Sequence, residues 1–181
     1  STGFIGSSLL KKLRLQNREV FSINRKQIFN LSNMQIADNP YQSSILLYLA
    51  ESNDRNYVNK QPESFKKEAL DRLNNLLRCN FKKIIYASSV SLYSDENDEP
   101  RTEKHPVIIN DLYSQIKIES ENIIIKNNGI VLRLLNVYGN GMSKINVLSD
   151  IIRQKNCGDI ELKTTYPVRD FIYIDDVVES F

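Results

Sequence analysis

The sequence contains little of what metal centres, disulfide frameworks or membrane spans require. Its 181 residues include two cysteines, Cys79 and Cys157, without metal-ligand spacing, and one histidine, His105. Two unpatterned cysteines are typical of the reducing cytoplasm, so we expect free thiols and no bound metal. No run of about eighteen apolar residues occurs, and the sequence therefore predicts no membrane span.

The sequence also lacks an excess of charge of either sign. The formal net charge is +2, from 24 Lys and Arg against 22 Asp and Glu. This balance gives no electrostatic reason to expect nucleic acid or an anionic membrane as a partner. The 41% hydrophobic and 25% charged residues are those of a globular protein able to bury a core. We expect a cytoplasmic location.

Both ends of the sequence interrupt a pattern. Residues 1–6 have the form of the second half of a glycine-rich turn, and no strand precedes them. Residues 177–181 have the form of the first turn of a helix. We therefore expect a fragment that is truncated at both ends.

Short apolar runs alternate with helical periodicities along the chain. The predicted helices lie at residues 7–15, 62–77, 111–129 and 145–155. The predicted strands lie at residues 19–23, 45–49, 83–87, 130–134, 159–162 and 171–174. This alternation predicts an α/β fold with a doubly wound parallel sheet.

Two glycines precede the first predicted helix. In Gly3-Phe4-Ile5-Gly6 the missing side chains would let the backbone approach a pyrophosphate, and the helix start would supply N–H groups and a positive dipole end. A plain tight turn is the alternative. Because a helix and then a strand pattern follow, we favour the phosphate interpretation.

The residues after the second predicted strand bear on the choice of cofactor. An acidic residue there would accept hydrogen bonds from the adenosine ribose hydroxyls. The sequence has Asn24, Arg25 and Lys26 instead. Arg25 and Lys26 either meet a 2′-phosphate, which favours NADP, or form a solvated basic turn, and both interpretations stay open.

Tyr113 and Lys117 are four residues apart on a predicted helix and therefore share a face. An ammonium about 5 Å from a phenol, at an effective dielectric near 20, favours the phenolate by roughly 3.3 kcal/mol. The pair predicts a phenol that exchanges protons near neutral pH.

Ser88 and Ser89 end a predicted strand, where parallel sheets place ligands. The alternative for these two serines is a turn or a helix cap.

Six segments together resemble the extended short-chain dehydrogenase/reductase family, which comprises nucleotide-sugar epimerases, dehydratases and reductases. They are Gly3–Gly6, Tyr48–Ala50, Ser88–Tyr93, Tyr113–Lys117, Arg133–Gly139 and Arg169–Asp176. The resemblance implies a truncated Rossmann-like domain over residues 1–140, which binds NAD or NADP. It implies a partial substrate-binding portion over residues 141–181 that returns to the Rossmann-like domain.

The resemblance also implies roles for individual residues. Ser89, Tyr113 and Lys117 form the implied catalytic set. The implied cofactor contacts are Gly3, Phe4, Ile5, Gly6, Asn24, Arg25, Leu49, Ala50, Ser88, Tyr113 and Lys117. The implied contacts of a nucleotide-diphosphate-sugar substrate are Ser89, Asn136 and Arg169. Family members commonly pair through two helices, one of which would carry Tyr113, and this implies a homodimer.

Two departures from the family pattern narrow the expected reaction. Glu51 follows Ala50, where the family usually has a small residue. Val90-Ser91 stands where dehydrating relatives carry an Asp-Glu pair as acid and base for the elimination, so we favour an epimerase or 4-ketoreductase over a 4,6-dehydratase. The rival hypotheses are a catalytically idle dinucleotide-binding sensor or interaction protein of the same fold, and the remnant of a broken enzyme.

Overall fold

The computed structural model describes residues 3–24, 27–28, 41–93, 99–156, 158–162, 164 and 168–181. The chain divides into two compact units, one formed by residues 22–134 and the other by residues 1–21 with 135–181. Each unit has a parallel sheet of its own. The predicted domains, 1–140 and 141–181, stay a prediction.

A three-stranded parallel sheet forms the centre of the unit spanning residues 22–134. Its strands are β1 (Ile45–Tyr48), β2 (Lys83–Ser89) and β3 (Ile130–Leu134), in the order β1-β2-β3. Leu47 pairs with Ile85, and Ala87 pairs with Leu132. Parallel neighbours need crossover connections, and these connections carry the helices of this unit. The α/β fold predicted from the sequence is confirmed.

The helices in the described part of this unit differ at their starts: Asp54 and Asp111 cap two of them, whereas Glu63 makes no side-chain cap hydrogen bond. They are α2 (Arg55–Val58), α3 (Ser64–Leu77) and α4 (Leu112–Lys126), with a 3₁₀ turn at Val90–Leu92. Asp111 caps α4: its side chain accepts a hydrogen bond from the Ser114 backbone N–H, and the Ser114 hydroxyl accepts one from the Asp111 N–H. In the described ranges, no helix of the chain is both long and apolar enough to cross a membrane.

The end of α4 differs in detail from the prediction. Asn128, with φ of 56°, adopts the left-handed conformation that ends the helix, because asparagine tolerates it better than most residues. Gly129 is needed for close packing instead, since a Cβ at that position would lie 2.5 Å from Ile124 Cγ2.

The core of this unit lies where α3 and α4 face the sheet. On α3, Ala69, Leu73 and Leu76 recur at spacings of four and three and are buried. The largest buried cluster contains Ile28, Tyr48, Leu73, Leu76, Cys79, Ile84, Tyr86 and Ile124. Burial raises the pKa of the Cys79 thiol. Cys157 lies outside the described residues.

In its described residues, the second unit combines three helices with a two-stranded parallel sheet. Its elements are α1 (Phe4–Leu15), β4 (Asn136–Tyr138), α5 (Val147–Gln154), β5 (Phe171–Tyr173) and α6 (Ile174–Ser180). Helix α1 packs on α6, and Lys12 forms an ion pair with Glu179. The turn after β4 requires glycine at position 139, because φ is 147° and a Cβ there would lie 2.5 Å from Ile174 Cγ2.

Two predicted strands are wrong. Residues 19–23 form no strand. In the described part of the sheet, β1 pairs only with β2, so residues 19–23 have no ladder partner there. Residues 159–162 form no strand either. The Gln154 side chain explains this, because its amide accepts from the Glu161 N–H at 2.8 Å and donates to the Glu161 carbonyl at 3.0 Å. A side chain thus occupies the backbone groups that a second strand would need.

Candidate active site

The structure brings Tyr113 and Lys117 together on one face of α4. The Lys117 Nζ lies 5.9 Å from the centre of the Tyr113 ring. Both residues are buried. The Asn59 side chain accepts a 2.9 Å hydrogen bond from the Tyr113 N–H, which fixes the first turn of the helix. The phenol and ammonium are therefore neighbours, as the four-residue spacing predicts.

The Lys117 ammonium also has a buried carboxylate partner. Its Nζ lies 3.2 Å from Oε2 of Glu51, and the two side chains are only 6% and 4% exposed. The same Nζ donates a 3.2 Å hydrogen bond to the Ala87 carbonyl and lies 5.0 Å from the centre of the Tyr86 ring. Lys117 is thus held at the end of β2 by a pairing that the helical spacing alone does not indicate.

Glu51 also accepts hydrogen bonds from a second residue of α4 and from a residue of β2. Ser120 of α4 donates its hydroxyl to Oε1 at 2.6 Å, and the Tyr86 hydroxyl of β2 donates to Oε2. Burial, together with the Glu51 charge, raises the pKa of Tyr86 well above its ordinary value. A neutral Tyr86 can keep donating this hydrogen bond, so the carboxylate has three polar partners away from water.

A small cavity adjoins this cluster. Its polar lining comes from Glu51, Ser52, Arg72, Tyr113 and Lys117. The apolar lining comes from Val58, Phe65, Ala69 and Ile116. Concave sites with an apolar wall and a few convergent polar groups are the usual setting of binding and catalysis. The Tyr113–Lys117 pair therefore borders a cavity that holds about one water molecule.

A second cation lies near the phenol. The Arg55 guanidinium carbon is 5.7 Å from the centre of the Tyr113 ring, and Arg55 Nε pairs with Oδ2 of Asp111 at 2.5 Å. Burial alone would raise the pKa of Asp111, but hydrogen bonds from Arg55, Ser114 and Asn59 outweigh it and hold that pKa well below its usual range.

The two serines at the end of β2 have different partners. Ser88 is buried, and its hydroxyl donates to Glu121 Oε1 at 2.5 Å. The Ser89 oxygen caps the following 3₁₀ turn by accepting from the Ser91 N–H at 3.2 Å. Ser89 is not among the residues that line the cavity beside Tyr113. The predicted roles of Ser88 toward a cofactor and of Ser89 toward a sugar oxygen stay predictions.

A buried ion pair next to the cluster was not predicted. Arg133 of β3 binds Glu121 through Nε at 2.9 Å and Nη2 at 2.6 Å, and its Nη1 donates to the Tyr93 hydroxyl at 2.7 Å. The Glu121 hydrogen bonds and, secondarily, Tyr93 raise the pKa of Arg133 above its ordinary value. The sequence signal is Glu121 itself, four residues after Lys117 and hence on the same helix face.

The predicted glycine turn begins α1 in the other unit. Gly3 is the N-cap residue, with φ of −77°, and its carbonyl accepts from the Ser7 N–H at 2.8 Å. Phe4, Ile5 and Gly6 form the first helical turn. A Cβ added to Gly3 would meet no atom of the described residues within 4 Å, so those residues leave the space beside it open.

The other predicted cofactor residues lie in the unit of residues 22–134. Asn24 and Gln27 bind each other through two backbone-to-side-chain hydrogen bonds of 2.8 and 3.0 Å, which form a closed polar turn. Leu49 and Ala50 directly follow β1, and Ala50 packs against the core. Arg25, like Lys26, lies outside the described residues.

The predicted substrate residues Asn136 and Arg169 lie near the paired strands β4 and β5. Asn136 donates from its backbone N–H and its Nδ2 to the Asp170 carbonyl, at 3.3 and 3.0 Å. Arg169 is exposed, and its Nη1 lies 3.4 Å from the Val168 carbonyl. The structure therefore places Asn136 beside the segment that carries Arg169.

The chain resembles known proteins over its whole length. A profile of the NAD dependent epimerase/dehydratase family matches residues 1–181. A search of curated protein sequences returned no match. Among solved structures, the chain is similar to UDP-N-acetylglucosamine 4-epimerase from Bacillus cereus at 20% identity and a TM-score of 0.77, over 99% of this chain and 67% of that one.

Two further structures have the same fold. UDP-glucose 4-epimerase from Thermotoga maritima, solved with UDP-glucose, is 21% identical with a TM-score of 0.78, over 98% of this chain and 69% of that one. An NAD-dependent NDP-hexosamine 5,6-dehydratase of tunicamycin biosynthesis is 20% identical with a TM-score of 0.80, over 98% and 67%. These likenesses establish a Rossmann-like α/β fold. Since the family profile spans the whole sequence, the chain belongs to the NAD dependent epimerase/dehydratase family.

Proposed function

We propose that this chain carries the catalytic residues of an NAD-dependent nucleotide-sugar epimerase or 4-ketoreductase. The observation that supports this most directly is the buried Tyr113–Lys117 pair, with Nζ 5.9 Å from the ring centre, beside a cavity. An active phenol needs a cation near it, and Lys117 supplies one.

The residues at the start of α1 fit a dinucleotide. The space beside Gly3 is open, and the first turn of α1 contains no acidic residue that would oppose a phosphate. Gly3, Phe4, Ile5 and Gly6 would hold the pyrophosphate, and Lys117 would bind the nicotinamide ribose. When bound, the cofactor supplies the acceptance and return of a hydride. We propose NAD because the family is described as NAD dependent.

Tyr113 performs the proton transfer in this proposal. Its phenolate takes the proton of the sugar C4 hydroxyl while the C4 hydrogen leaves as hydride, and it returns the proton when the hydride comes back. The Lys117 and Arg55 cations stabilise the phenolate by charge. Ser89 steadies the sugar oxygen in this scheme, which requires its hydroxyl to leave the Ser91 cap.

We propose a nucleotide-diphosphate sugar as the substrate, bound through Asn136 and Arg169. One similar structure contains UDP-glucose, and the exposed guanidinium of Arg169 suits phosphate oxygens. Val90 and Ser91 form the turn after β2, and neither side chain can serve as acid or base at neutral pH. This favours epimerisation or ketoreduction over a 4,6-dehydration. A homodimer and a cytoplasmic location stay predictions.

Replacing Tyr113 tests the proposal. In the Tyr113→Phe variant, turnover of a panel of UDP-sugars should fall by about 10²–10⁴-fold, because proton transfer is lost, while NAD affinity stays nearly the same. Tyr57→Phe, at a half-exposed tyrosine of α2, is the matched control and should keep wild-type turnover.

Two results would contradict the proposal. Turnover of Tyr113→Phe at the wild-type rate would remove the phenol from the mechanism. Binding of NAD by the wild-type protein without reduction by any nucleotide sugar of the panel would favour the idle sensor instead.

A further inference from the structure

Glu51 is a buried charge that the proposed function does not use. Its carboxylate is 4% exposed and lies 3.2 Å from the Lys117 ammonium. It lines the same cavity as Tyr113. A buried carboxylate costs free energy unless it is paired and hydrogen-bonded, and here Lys117, Ser120 and Tyr86 meet that requirement. These three partners therefore offset the cost of burying the Glu51 carboxylate.

We propose that Glu51 is a positioning residue for the Tyr113–Lys117 pair. Its carboxylate fixes the Lys117 ammonium at the Ala87 carbonyl and offsets the ammonium charge. The carboxylate therefore opposes the phenolate form of Tyr113, and the paired ammonium favours that form less than it would alone. This inference rests on the proposed function and deepens it.

Electrostatics gives the direction and the approximate size of the effect. The Nζ lies between the two groups, 3.2 Å from Glu51 Oε2 and 5.9 Å from the Tyr113 ring centre, so the carboxylate is at most about 9 Å from the ring. At an effective dielectric near 20, a negative charge at that distance opposes the phenolate by the equivalent of about one pH unit.

Other charged or titratable groups also face the same phenol. Arg55 of α2 lies 5.7 Å from the ring centre and pairs with Asp111. Arg72 of α3 lines the cavity, and Tyr86 of β2 contacts both Glu51 and Lys117. Removal of the Glu51 charge leaves the cations in place, so the phenolate must become more favourable.

The test is a pH titration of Tyr113 in the cofactor-free protein. Tyrosine labelled with ¹³C at Cζ reports ionisation by NMR, and the Tyr113 signal is the one lost in Tyr113→Phe. In Glu51→Gln, the Tyr113 midpoint should fall by about one pH unit or more. Glu119→Gln is the matched control: the same substitution on α4, at an exposed carboxylate paired with Lys66, should leave it unchanged.

A second pair of variants keeps the test valid if Glu51→Gln fails to fold. Lys117→Met alone should raise the Tyr113 midpoint, because only the negative charge remains. The double variant Glu51→Gln with Lys117→Met has no buried charge at this position. The lost cation at 5.9 Å outweighs the lost carboxylate at about 9 Å, so its midpoint should lie no more than about one pH unit above that of wild type.

The outcomes separate this inference from the proposed function. A Tyr113 midpoint that does not fall in Glu51→Gln, or a double variant that differs from wild type by more than one unit, would overturn the role of Glu51 even if turnover still requires Tyr113. Failure of the proposed function appears elsewhere, as wild-type turnover in Tyr113→Phe.

Discussion

At Lys117, the charge that acts on Tyr113 depends on a residue outside the helix. The separation of Nζ from the ring centre, 5.9 Å, is close to the value of about 5 Å expected from the spacing. The spacing does not reveal Glu51, 66 positions earlier in the chain, which offsets the ammonium. The electrostatic environment of Tyr113 therefore depends on the net charge of a cluster and not on one pair.

The Glu51–Lys117 pair makes a prediction for stability. Either Glu51→Gln or Lys117→Met should lower the free energy of unfolding by about 3–5 kcal/mol, because each leaves a buried charge without its partner. The double variant should lose less than either single variant, since no unpaired charge is left. Urea denaturation of the four proteins measures this, and strictly additive losses would contradict a direct pairing.

At the scale of one element, α4 organises most of the candidate site. Tyr113, Lys117 and Glu121 recur every four residues, and Ser120 lies beside the last of them. This polar stripe contacts the end of β2 at two points. Lys117 donates to the Ala87 carbonyl, and Glu121 accepts from the Ser88 hydroxyl. The position of the helix start therefore determines which side chains reach the cavity.

The cap of α4 makes a prediction with a pH dependence. Asp111→Ala should lower the free energy of unfolding by about 1–2 kcal/mol, because the cap is lost. Asp111→Asn keeps a good cap but removes the charge that binds Arg55. The two variants separate capping from ion pairing in denaturation experiments at neutral pH.

Acid unfolding tests the charge of Asp111 further. The folded protein holds the pKa of Asp111 below its ordinary value of about 3.9, so this stabilisation is complete above that pH and is lost as the pH falls below it. Wild type should therefore lose more stability than Asp111→Asn between about pH 5 and pH 2. Equal losses in both proteins would contradict the pairing with Arg55.

Sequence patterns were sufficient to predict some helices but not every strand. The helices at α1, α3, α4 and α5 were predictable because each has an apolar face or a polar cap. The strand expected at 159–162 was not, because the pattern cannot show that the Gln154 amide binds the Glu161 backbone. Strand patterns report burial of alternate residues, whereas a strand also needs a partner.

At the scale of the whole molecule, NAD should stabilise the fold through the turn at Gly3. At a concentration about 100 times its dissociation constant, NAD should add about 2.7 kcal/mol to the free energy of unfolding. Gly3→Asn should keep the stability of the free protein, because φ is −77°, the described residues leave room for a Cβ, and asparagine caps helices well. It should reduce stabilisation by NAD, because its side chain occupies the open space.

Gly3→Asp adds a negative charge at the same place and should reduce stabilisation by NAD further. Melting temperatures with and without NAD measure both effects. Full stabilisation of both variants by NAD would show that the pyrophosphate lies elsewhere.

The candidate site was only partly predictable from the sequence. Tyr113 and Lys117 lie on one helix, so their proximity followed from the helical repeat. The contacts of Glu51 with Lys117 and of Arg133 with Glu121 join different elements and depend on the packing of strands and helices. Glu51 stood out only as an acidic residue directly after a buried strand, which indicates a position but not a partner.

The most direct test of the central claim is a single-turnover experiment with the Lys117→Met variant loaded with NAD. Wild-type protein mixed with UDP-glucose and related UDP-sugars should produce the absorbance of reduced nicotinamide with one of them. Lys117→Met should produce it at least about 10²-fold more slowly, because the phenolate of Tyr113 loses the cation on its own helix face. Reduction at the wild-type rate in Lys117→Met would contradict the account of the Tyr113–Lys117 pair.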